Sequence, residues 1–219
     1  ILIISVDASQ DACCAVAHWR HGSVTKHADC RLVTSNIKIT GKGRWTIPRL
    51  ELNAAVMGAQ LYSKIIENIK SAVKVARVIF LSDSQVVLHQ ISHDAGNYDL
   101  WTGSRVQKIQ SLTHPHQWLH VPTELNPADI GTRLGATKYE VMSQQWRDGS
   151  FFSLPLDQWP EKVDKVVSKK ADLEQLPGAK QRIITADYKA TVERMQIFKV
   201  NLASGKTQPD DHSTILDPL

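Results

Sequence analysis

The sequence of 219 residues has few cysteines, few aromatic residues and no long apolar run. Its three cysteines (Cys13, Cys14 and Cys30) lack the C-x-x-C spacing of a zinc site, so we expect reduced packing residues. Reduced cysteines fit an intracellular setting. No apolar stretch approaches the roughly 20 residues that a membrane-spanning helix needs. The sequence therefore predicts no membrane partner.

The composition excludes two further classes. With 42% apolar and 22% charged residues, the chain is average for globular proteins, which excludes disorder throughout and a fibrous repeat. It opens on Ile1 with a strand-like pattern and no signal-peptide pattern. We expect from this that it is a piece of a longer chain.

Positive charge is concentrated in one stretch. The net charge is +4, but residues 20–49 alone carry a net +6. This stretch holds a single acid, Asp29, against Arg20, Lys26, Arg31, Lys38, Lys42, Arg44 and Arg49. It could be an ordinary solvated surface, or it could contact phosphates if catalytic acids lie close by.

Periodicity predicts an α/β domain over residues 1–136. Three strands at 1–7, 12–19 and 30–40 form a meander, and two more follow at 74–81 and 116–121. Helices are predicted at 49–69, 84–91 and 102–112, with a short last one from 126. This order predicts a five-stranded mixed sheet flanked by helices. A helical and aromatic extension at 137–160, with a helix at 138–146, and a linker at 161–219 complete the chain.

Four acids stand where a strand ends or a helix begins: Asp7, Glu51, Asp83 and Asp129. Each has an ordinary explanation. Asp7 could be a turn residue, Glu51 could interact with the helix dipole, and Asp83 could be an N-cap. Asp129 has the spacing of a capping interaction with Asn126.

Together these acids indicate a metal site. Strand ends and helix starts converge on one edge of such a sheet, where four carboxylates would repel one another. A divalent cation is the simplest remedy, and oxygen-only ligands favour two Mg²⁺ ions, with Mn²⁺ as a substitute. Two such ions predict phosphoryl-transfer chemistry, with one activating the attacking water and the other stabilising the departing 3′ oxygen.

The motifs around these acids resemble the ribonuclease H domain of BEL/Pao-type long-terminal-repeat retrotransposon polyproteins. The segments that carry the resemblance are VDAS at 6–9, TIPRLEL at 46–52, LSDS at 81–84, NPADI at 126–130 and WRDGSFFSLPLDQWP at 146–160. The resemblance covers about residues 1–160.

The resemblance implies a ribonuclease H-like fold with a C-terminal extension. It implies Mg²⁺-dependent cleavage of the RNA strand of an RNA/DNA hybrid during reverse transcription, with Asp7, Glu51, Asp83 and Asp129 as catalytic, metal-binding acids. It also implies the reverse transcriptase and integrase parts of the same polyprotein as partners, and a cytoplasmic virus-like particle, or the nucleus, as the location.

One position departs from the family pattern. Many ribonucleases H carry a mobile histidine between the fifth strand and the last helix, where this sequence has Glu124. His120 lies nearby but fits a packing or surface role on an alternating strand. It is therefore left out of the catalytic set, and slower turnover is expected.

Contacts to the hybrid are predicted at five polar positions around these motifs: Lys42, Arg44, Asn53, Ser84 and Gln85. For Asn53, Ser84 and Gln85 a plain surface role is the commoner explanation, because exposed polar residues are frequent in the first turn of a helix. Trp45 and Trp101 could stack on sugars or belong to the core or a lid.

Three other functions compete with this interpretation. An integrase or transposase would place a glutamate on the last helix, so Glu51 with Asp129 argues against it. A degenerate scaffold or weak nucleic-acid-binding domain between reverse transcriptase and integrase should first lose its acids, and all four are present. A host protein that adopted the domain stays open.

Overall fold

A computed structural model of the protein describes residues 1–41, 45–133, 135–160 and 163, without the side chains of residues 138 and 141. Lys42, Arg44 and the linker predicted at 161–219, apart from Val163, lie outside the described residues. No helix in the described ranges combines the length and hydropathy needed to cross a membrane.

The centre of the fold is a five-stranded mixed sheet with the strand order β3-β2-β1-β4-β5. Its strands are β1 Leu2–Ala8, β2 Ala12–His21, β3 Asp29–Ile39, β4 Val78–Ser82 and β5 Trp118–His120. The first three strands pair antiparallel, whereas β1 with β4 and β4 with β5 pair parallel. The carboxyl ends of the parallel strands therefore meet at one edge.

Helix α1, Ile47–Ile69, packs along one face of the sheet. Pro48 suits its first turn because proline has no N–H to leave unpaired there. Leu52 and Ala55 are fully buried in the core beneath it. At Gly58 a Cβ atom would lie only 2.4 Å from Val6 Cγ1, so glycine lets helix and strand approach closely.

Further helices cover both faces of the sheet. They are α2 Gln85–Ile91, α3 Leu100–Gln110, α4 Ala128–Thr132, α5 Lys138–Val141 and α6 Gln144–Asp148. Residues of α2 and α3 share the core of α1, while Ala128 of α4 and Trp146 of α6 pack with Cys14 and Val16 of β2. The two groups of helices pack on opposite faces of the sheet because successive residues of a strand point to opposite faces.

Residues 146–154 are held to the sheet by two buried side chains of β2. His18 Nε2 lies 2.7 Å from the carbonyl oxygen of Trp146. Arg20, 1% exposed, donates to the carbonyl oxygens of Phe152 at 2.8 Å and Leu154 at 3.1 Å. The aromatic segment thus covers the sheet face opposite α1.

The predicted fold class, a five-stranded mixed sheet flanked by helices, is confirmed. Several predicted boundaries were wrong, and three of them have a clear physical reason. Strand β4 begins at Val78 because its pairing with β1 starts there, opposite Leu2. Helix α3 begins at Leu100 because Asp99 caps it. The helix expected at 138–146 is two short helices, since Ser143 caps a new one by accepting from the N–H of Trp146.

Candidate active site

Asp7 and Asp83 lie at the same edge of the sheet because they stand at the carboxyl ends of adjacent parallel strands. Val6 of β1 is opposite Ser82 of β4 in the last pair of the two strands, so Asp7 and Asp83 follow that pair at the same level, with Asp7 still paired to Cys14 of β2. Asp7 is 9% exposed and Asp83 is half-buried. This is the edge at which α/β sheets usually build their sites.

Glu51 reaches the same edge from the first turns of α1. Its Oε2 accepts a hydrogen bond of 2.6 Å from Ser84 Oγ, which follows Asp83 directly. The Ser84 hydroxyl also caps α2 by accepting from the N–H of Val87 at 3.3 Å. One serine therefore joins Glu51 to the segment that carries Asp83.

Asp129 is brought to the edge by α4, which is tied to β1 on both sides. Asn126 Nδ2 donates to the carbonyl oxygen of Val6 at 3.0 Å, just before Asp7. Thr132 Oγ1 donates to Asp7 Oδ2 at 2.5 Å and to the carbonyl oxygen of Asp129 at 3.0 Å. These bonds fix the short helix beside the end of β1.

The four carboxylates influence one another electrostatically. Burial, reinforced by the charge of Asp83 and then of Asp129, raises the pKa of Asp7 to about 6. Burial also raises the pKa of Glu51, with smaller contributions from Asp83 and Asp7, against the hydrogen bond from Ser84. The pKa of Asp83 is raised by burial and by the Asp129 charge, against a bond from Thr123. This electrostatic coupling agrees with the expectation, drawn from the sequence, that the acids converge at one edge.

Each carboxylate also has a donor of its own. Ser84 donates to Glu51, Thr132 to Asp7 and Arg133 to Asp129, while Thr123 Oγ1 donates to Asp83 Oδ2 at 2.7 Å. Within the described ranges, no three His, Cys, Asp or Glu side chains come together as a metal-binding group. The acids are thus neighbours, but their oxygens turn towards separate donors.

The predicted nucleic-acid contacts lie in different settings. Gln85 is exposed at the start of α2, and Ser84 is buried with its hydroxyl bonded to Glu51. Asn53 Oδ1 accepts from Arg105 Nε at 2.8 Å on another side of α1. Lys42 and Arg44 lie outside the part of the chain that the structure describes.

Sequence reasoning missed several partners of the acids. Thr123, Thr132 and Arg133 come from turns and helix ends with no pattern of their own. Only the spacing of Thr132 and Arg133, one turn after Asp129, offered a signal. His120, set aside as a packing or surface residue, is half-buried at the end of β5, where its charge lowers the pKa of Asp83 slightly.

A five-stranded mixed sheet with this order, flanked by helices and carrying four acids at one edge, defines the ribonuclease H-like class. Residues 1–84 match the family model of the Pao retrotransposon-like RNaseH-like domain. The match confirms the Pao-type resemblance over this part of the chain. It includes Asp7, Glu51 and Asp83 and ends before Asp129. No curated protein and no solved structure matched the chain.

Proposed function

We propose that this domain is a ribonuclease H that hydrolyses the RNA strand of RNA/DNA hybrids with two Mg²⁺ ions, for which Mn²⁺ can substitute. The observation that carries the proposal is the convergence of Asp7, Glu51 and Asp83 at the sheet edge, where burial first and then neighbouring carboxylates, Asp129 among them, raise their pKa values. Buried carboxylates that raise one another's pKa hold negative charge at a cost that bound cations would offset.

The chemistry of these side chains fits Mg²⁺. Asp7, Glu51, Asp83 and Asp129 present only carboxylate oxygens, the ligands that this hard cation prefers. When bound, Mg²⁺ would supply charge stabilisation on the scissile phosphate and an activated water for in-line attack. The side-chain donors now on the acids are three hydroxyls and one guanidinium, which a cation can displace or share.

The protein's own residues would orient the acids. Thr132 holds Oδ2 of Asp7 and Ser84 holds Oε2 of Glu51, so one oxygen of each carboxylate has a fixed position. The bond from Asn126 to β1 keeps α4, and with it Asp129, against the strand end. Such preorganisation fixes the positions of charge before substrate binds.

A second candidate is a nucleic-acid-binding or scaffolding domain with weak catalysis between reverse transcriptase and integrase. The ion pair between Asp129 and Arg133 favours it, because a guanidinium on a metal-binding carboxylate opposes metal binding. The described residues also contain no preformed metal-binding group. On either function, the expected partners are the hybrid and the neighbouring parts of the polyprotein, in a cytoplasmic virus-like particle or in the nucleus.

A cleavage assay separates the two candidates. Wild type and Asp83→Asn would be incubated with Mg²⁺ and a labelled RNA/DNA hybrid, with duplex DNA and duplex RNA as comparison substrates. The ribonuclease H proposal expects wild type to cut only the RNA of the hybrid, and Asp83→Asn to bind the hybrid without cutting it. Hybrid binding without cutting by wild type would favour the scaffold, and equal cutting by both proteins would refute the role of Asp83.

A further inference from the structure

The loop between β5 and α4 lies beside the acids and carries a donor to one of them. We name residues 121–126 the Thr123 loop. Thr123 Oγ1 donates to Asp83 Oδ2 at 2.7 Å, although Thr123 itself is exposed. A hydroxyl bonded to a carboxylate fixes the direction of the oxygen that accepts. An exposed side chain can do this only if the loop that carries it is itself held in place.

Both ends of the Thr123 loop are anchored to the strands that lead to the acids. The N–H of Val121 donates to the carbonyl oxygen of Ser82 at 3.0 Å, directly before Asp83. Asn126, which is fully buried, donates from Nδ2 to the carbonyl oxygen of Val6 at 3.0 Å. The ends of the loop are therefore fixed to β4 and β1.

The middle of the loop has weaker internal support. Thr123 and Glu124 are both exposed, and they belong to a single 3₁₀ turn, Thr123–Leu125. Two backbone bonds close it, from Leu125 to the carbonyl oxygen of Pro122 at 2.9 Å and from Asn126 to that of Thr123 at 3.0 Å. Hydrogen bonds of 3₁₀ turns have poor geometry, so a contact from outside the turn is needed to hold it firmly.

Gln145 of α6 supplies that outside contact. Its Nε2 donates to the carbonyl oxygen of Glu124 at 3.2 Å and to that of Asn126 at 3.3 Å. A primary amide nitrogen carries two hydrogens, so one side chain can make both bonds. Gln145 thus joins the exposed turn and the buried end of the Thr123 loop.

The helix that carries Gln145 has a fixed place in the fold. The next residue, Trp146, packs with Ala128 and Ile130 of α4. The carbonyl oxygen of Trp146 lies 2.7 Å from Nε2 of the buried His18. A side chain on an element held this way can orient a loop, whereas a side chain on a second mobile loop could not.

The two bonds of Gln145 could instead serve stability alone. Against this, one of them ends on Glu124, whose carbonyl belongs to an exposed turn, and a hydrogen bond to such a group adds little to the stability of the whole fold. The same turn directs Thr123 to Asp83. The contact is therefore placed where it affects the orientation of a candidate catalytic acid.

We infer that Gln145 of the C-terminal extension is a positioning residue for the proposed reaction: it holds the Thr123 loop so that Thr123 keeps the Asp83 carboxylate in one orientation. This inference rests on the proposed function. Both residues would act through Asp83 and not on the reacting atoms. On this inference α6 belongs to the functional domain, although the matching family model ends at residue 84.

Amide hydrogen exchange of the full chain without metal tests the link between α6 and the loop. Gln145→Met keeps the length of the side chain and removes its donor. Gln144→Met, the same change at the neighbouring exposed position, is the matched control. We expect the N–H groups of Leu125 and Asn126 to exchange about three- to tenfold faster in Gln145→Met and unchanged in Gln144→Met. Equal exchange in the two variants would overturn the link.

Mg²⁺ binding, measured by calorimetry without hybrid, tests the link between the loop and Asp83. Thr123→Val keeps the shape of the side chain and removes the hydroxyl, whereas Thr123→Ser keeps the hydroxyl. We expect the dissociation constant for Mg²⁺ to rise about two- to tenfold in Thr123→Val and in Gln145→Met, and to stay near that of wild type in Thr123→Ser. An unchanged constant in Thr123→Val would overturn the role of Thr123.

The double variant shows whether the two residues act in series. If Gln145 acts through Thr123, Gln145→Met combined with Thr123→Val should bind Mg²⁺ no more weakly than Thr123→Val alone. Losses that multiply would mean that Gln145 acts on its own, which contradicts the inference. Thr123 is exposed, so its variants keep the test informative if Gln145→Met unfolds, which circular dichroism would show.

Cleavage of a labelled hybrid separates this inference from the proposed function. In an active enzyme we expect Gln145→Met and Thr123→Val to lower kcat about five- to twentyfold with KM unchanged, because substrate binding does not depend on the orientation of Asp83. If wild type cuts and Gln145→Met matches Gln144→Met in exchange, Mg²⁺ binding and kcat, only this inference fails. If wild type never cuts but exchange and Mg²⁺ binding change as expected, only the hydrolase proposal fails.

Discussion

Ser84 Oγ donates a hydrogen bond of 2.6 Å to Glu51 and at the same time accepts one from the N–H of Val87. A single hydroxyl therefore orients a candidate catalytic carboxylate and caps the helix that follows Asp83. Stability and site geometry depend on the same atom, and this dependence can be measured.

Replacing Ser84 with alanine should lower the free energy of unfolding by about 1–2 kcal/mol, because the cap of α2 and the bond to Glu51 are both lost. Ser84→Thr keeps the hydroxyl and should recover most of the stability. Urea denaturation measures both. Ser104→Ala, which removes an exposed hydroxyl on α3, is the control and should change stability by less than about 0.5 kcal/mol. A loss no larger than that of Ser104→Ala would contradict the dual role.

Asp7→Asn should stabilise the protein at pH 7 in the presence of EDTA. The pKa of Asp7 rises from 3.8 to about 6 on folding, so the folded state holds this proton more tightly than the unfolded chain. The protonated Asp7 side chain therefore contributes its full stabilisation below about pH 4, and this stabilisation is lost as the pH rises to about 6. Asparagine removes the buried charge and still accepts from Thr132.

We expect the free energy of unfolding of Asp7→Asn to exceed that of wild type by about 1–3 kcal/mol at pH 7 and to equal it near pH 4. Chemical denaturation at both pH values measures the difference. A variant less stable than wild type at pH 7 would mean that the Asp7 carboxylate is stabilised as an anion by the fold itself.

Arg133→Gln should lower the Mg²⁺ concentration needed for half-maximal RNA cleavage about two- to fivefold. The guanidinium pairs with Asp129 and lies 3.8 Å from Glu140, so it competes with a cation for the Asp129 carboxylate. Arg147→Gln, another exposed arginine in an ion pair, is the control and should leave the Mg²⁺ requirement unchanged. An increased requirement in Arg133→Gln would show that Arg133 supports the site instead.

Arg20→Met should destabilise the fold by about 2–4 kcal/mol, because the carbonyl oxygens of Phe152 and Leu154 would lose a buried charged donor. The exposed Arg31, paired with Asp29 and Asp148, offers the comparison. Arg31→Met should lower the free energy of unfolding by less than about 1 kcal/mol. Equal losses in the two variants would mean that Arg20 does not anchor the 146–154 segment.

The sequence was sufficient for the fold because its signals are local. The apolar runs before Asp7 and Asp83 end at strand ends, and Pro48 is correctly placed in the first turn of a helix. Convergence of the acids then follows from parallel strands ending at one edge. The break at Ser143 was missed because a serine inside a helical pattern can either continue the helix or cap a new one. Only the structure shows that Ser143 is a cap.

The contacts around the site could not be predicted, since they join residues far apart in the chain. Thr132 reaches Asp7 across 125 positions, and Thr123 reaches Asp83 across 40. The contact of Asn53 with the hybrid stays a prediction, but the bond from Arg105 to its side-chain oxygen had no signal in the sequence. Trp101 and Arg105 have the i,i+4 spacing of neighbours on one helix, but nothing local in the sequence relates Trp45 to them, because Trp45 precedes α1 and α3 packs on α1 only in the folded chain.

The central claim is that the four acids work as one unit, and double-variant kinetics test it most directly. Asp7→Asn, Glu51→Gln, Asp83→Asn and Asp129→Asn would be assayed singly and in pairs for RNA cleavage, with Asp157→Asn, an exposed acid far along the chain, as the control. We expect each single variant to lose at least about 100-fold in rate and each pair to lose little more. Single variants that cut as fast as Asp157→Asn would contradict the account.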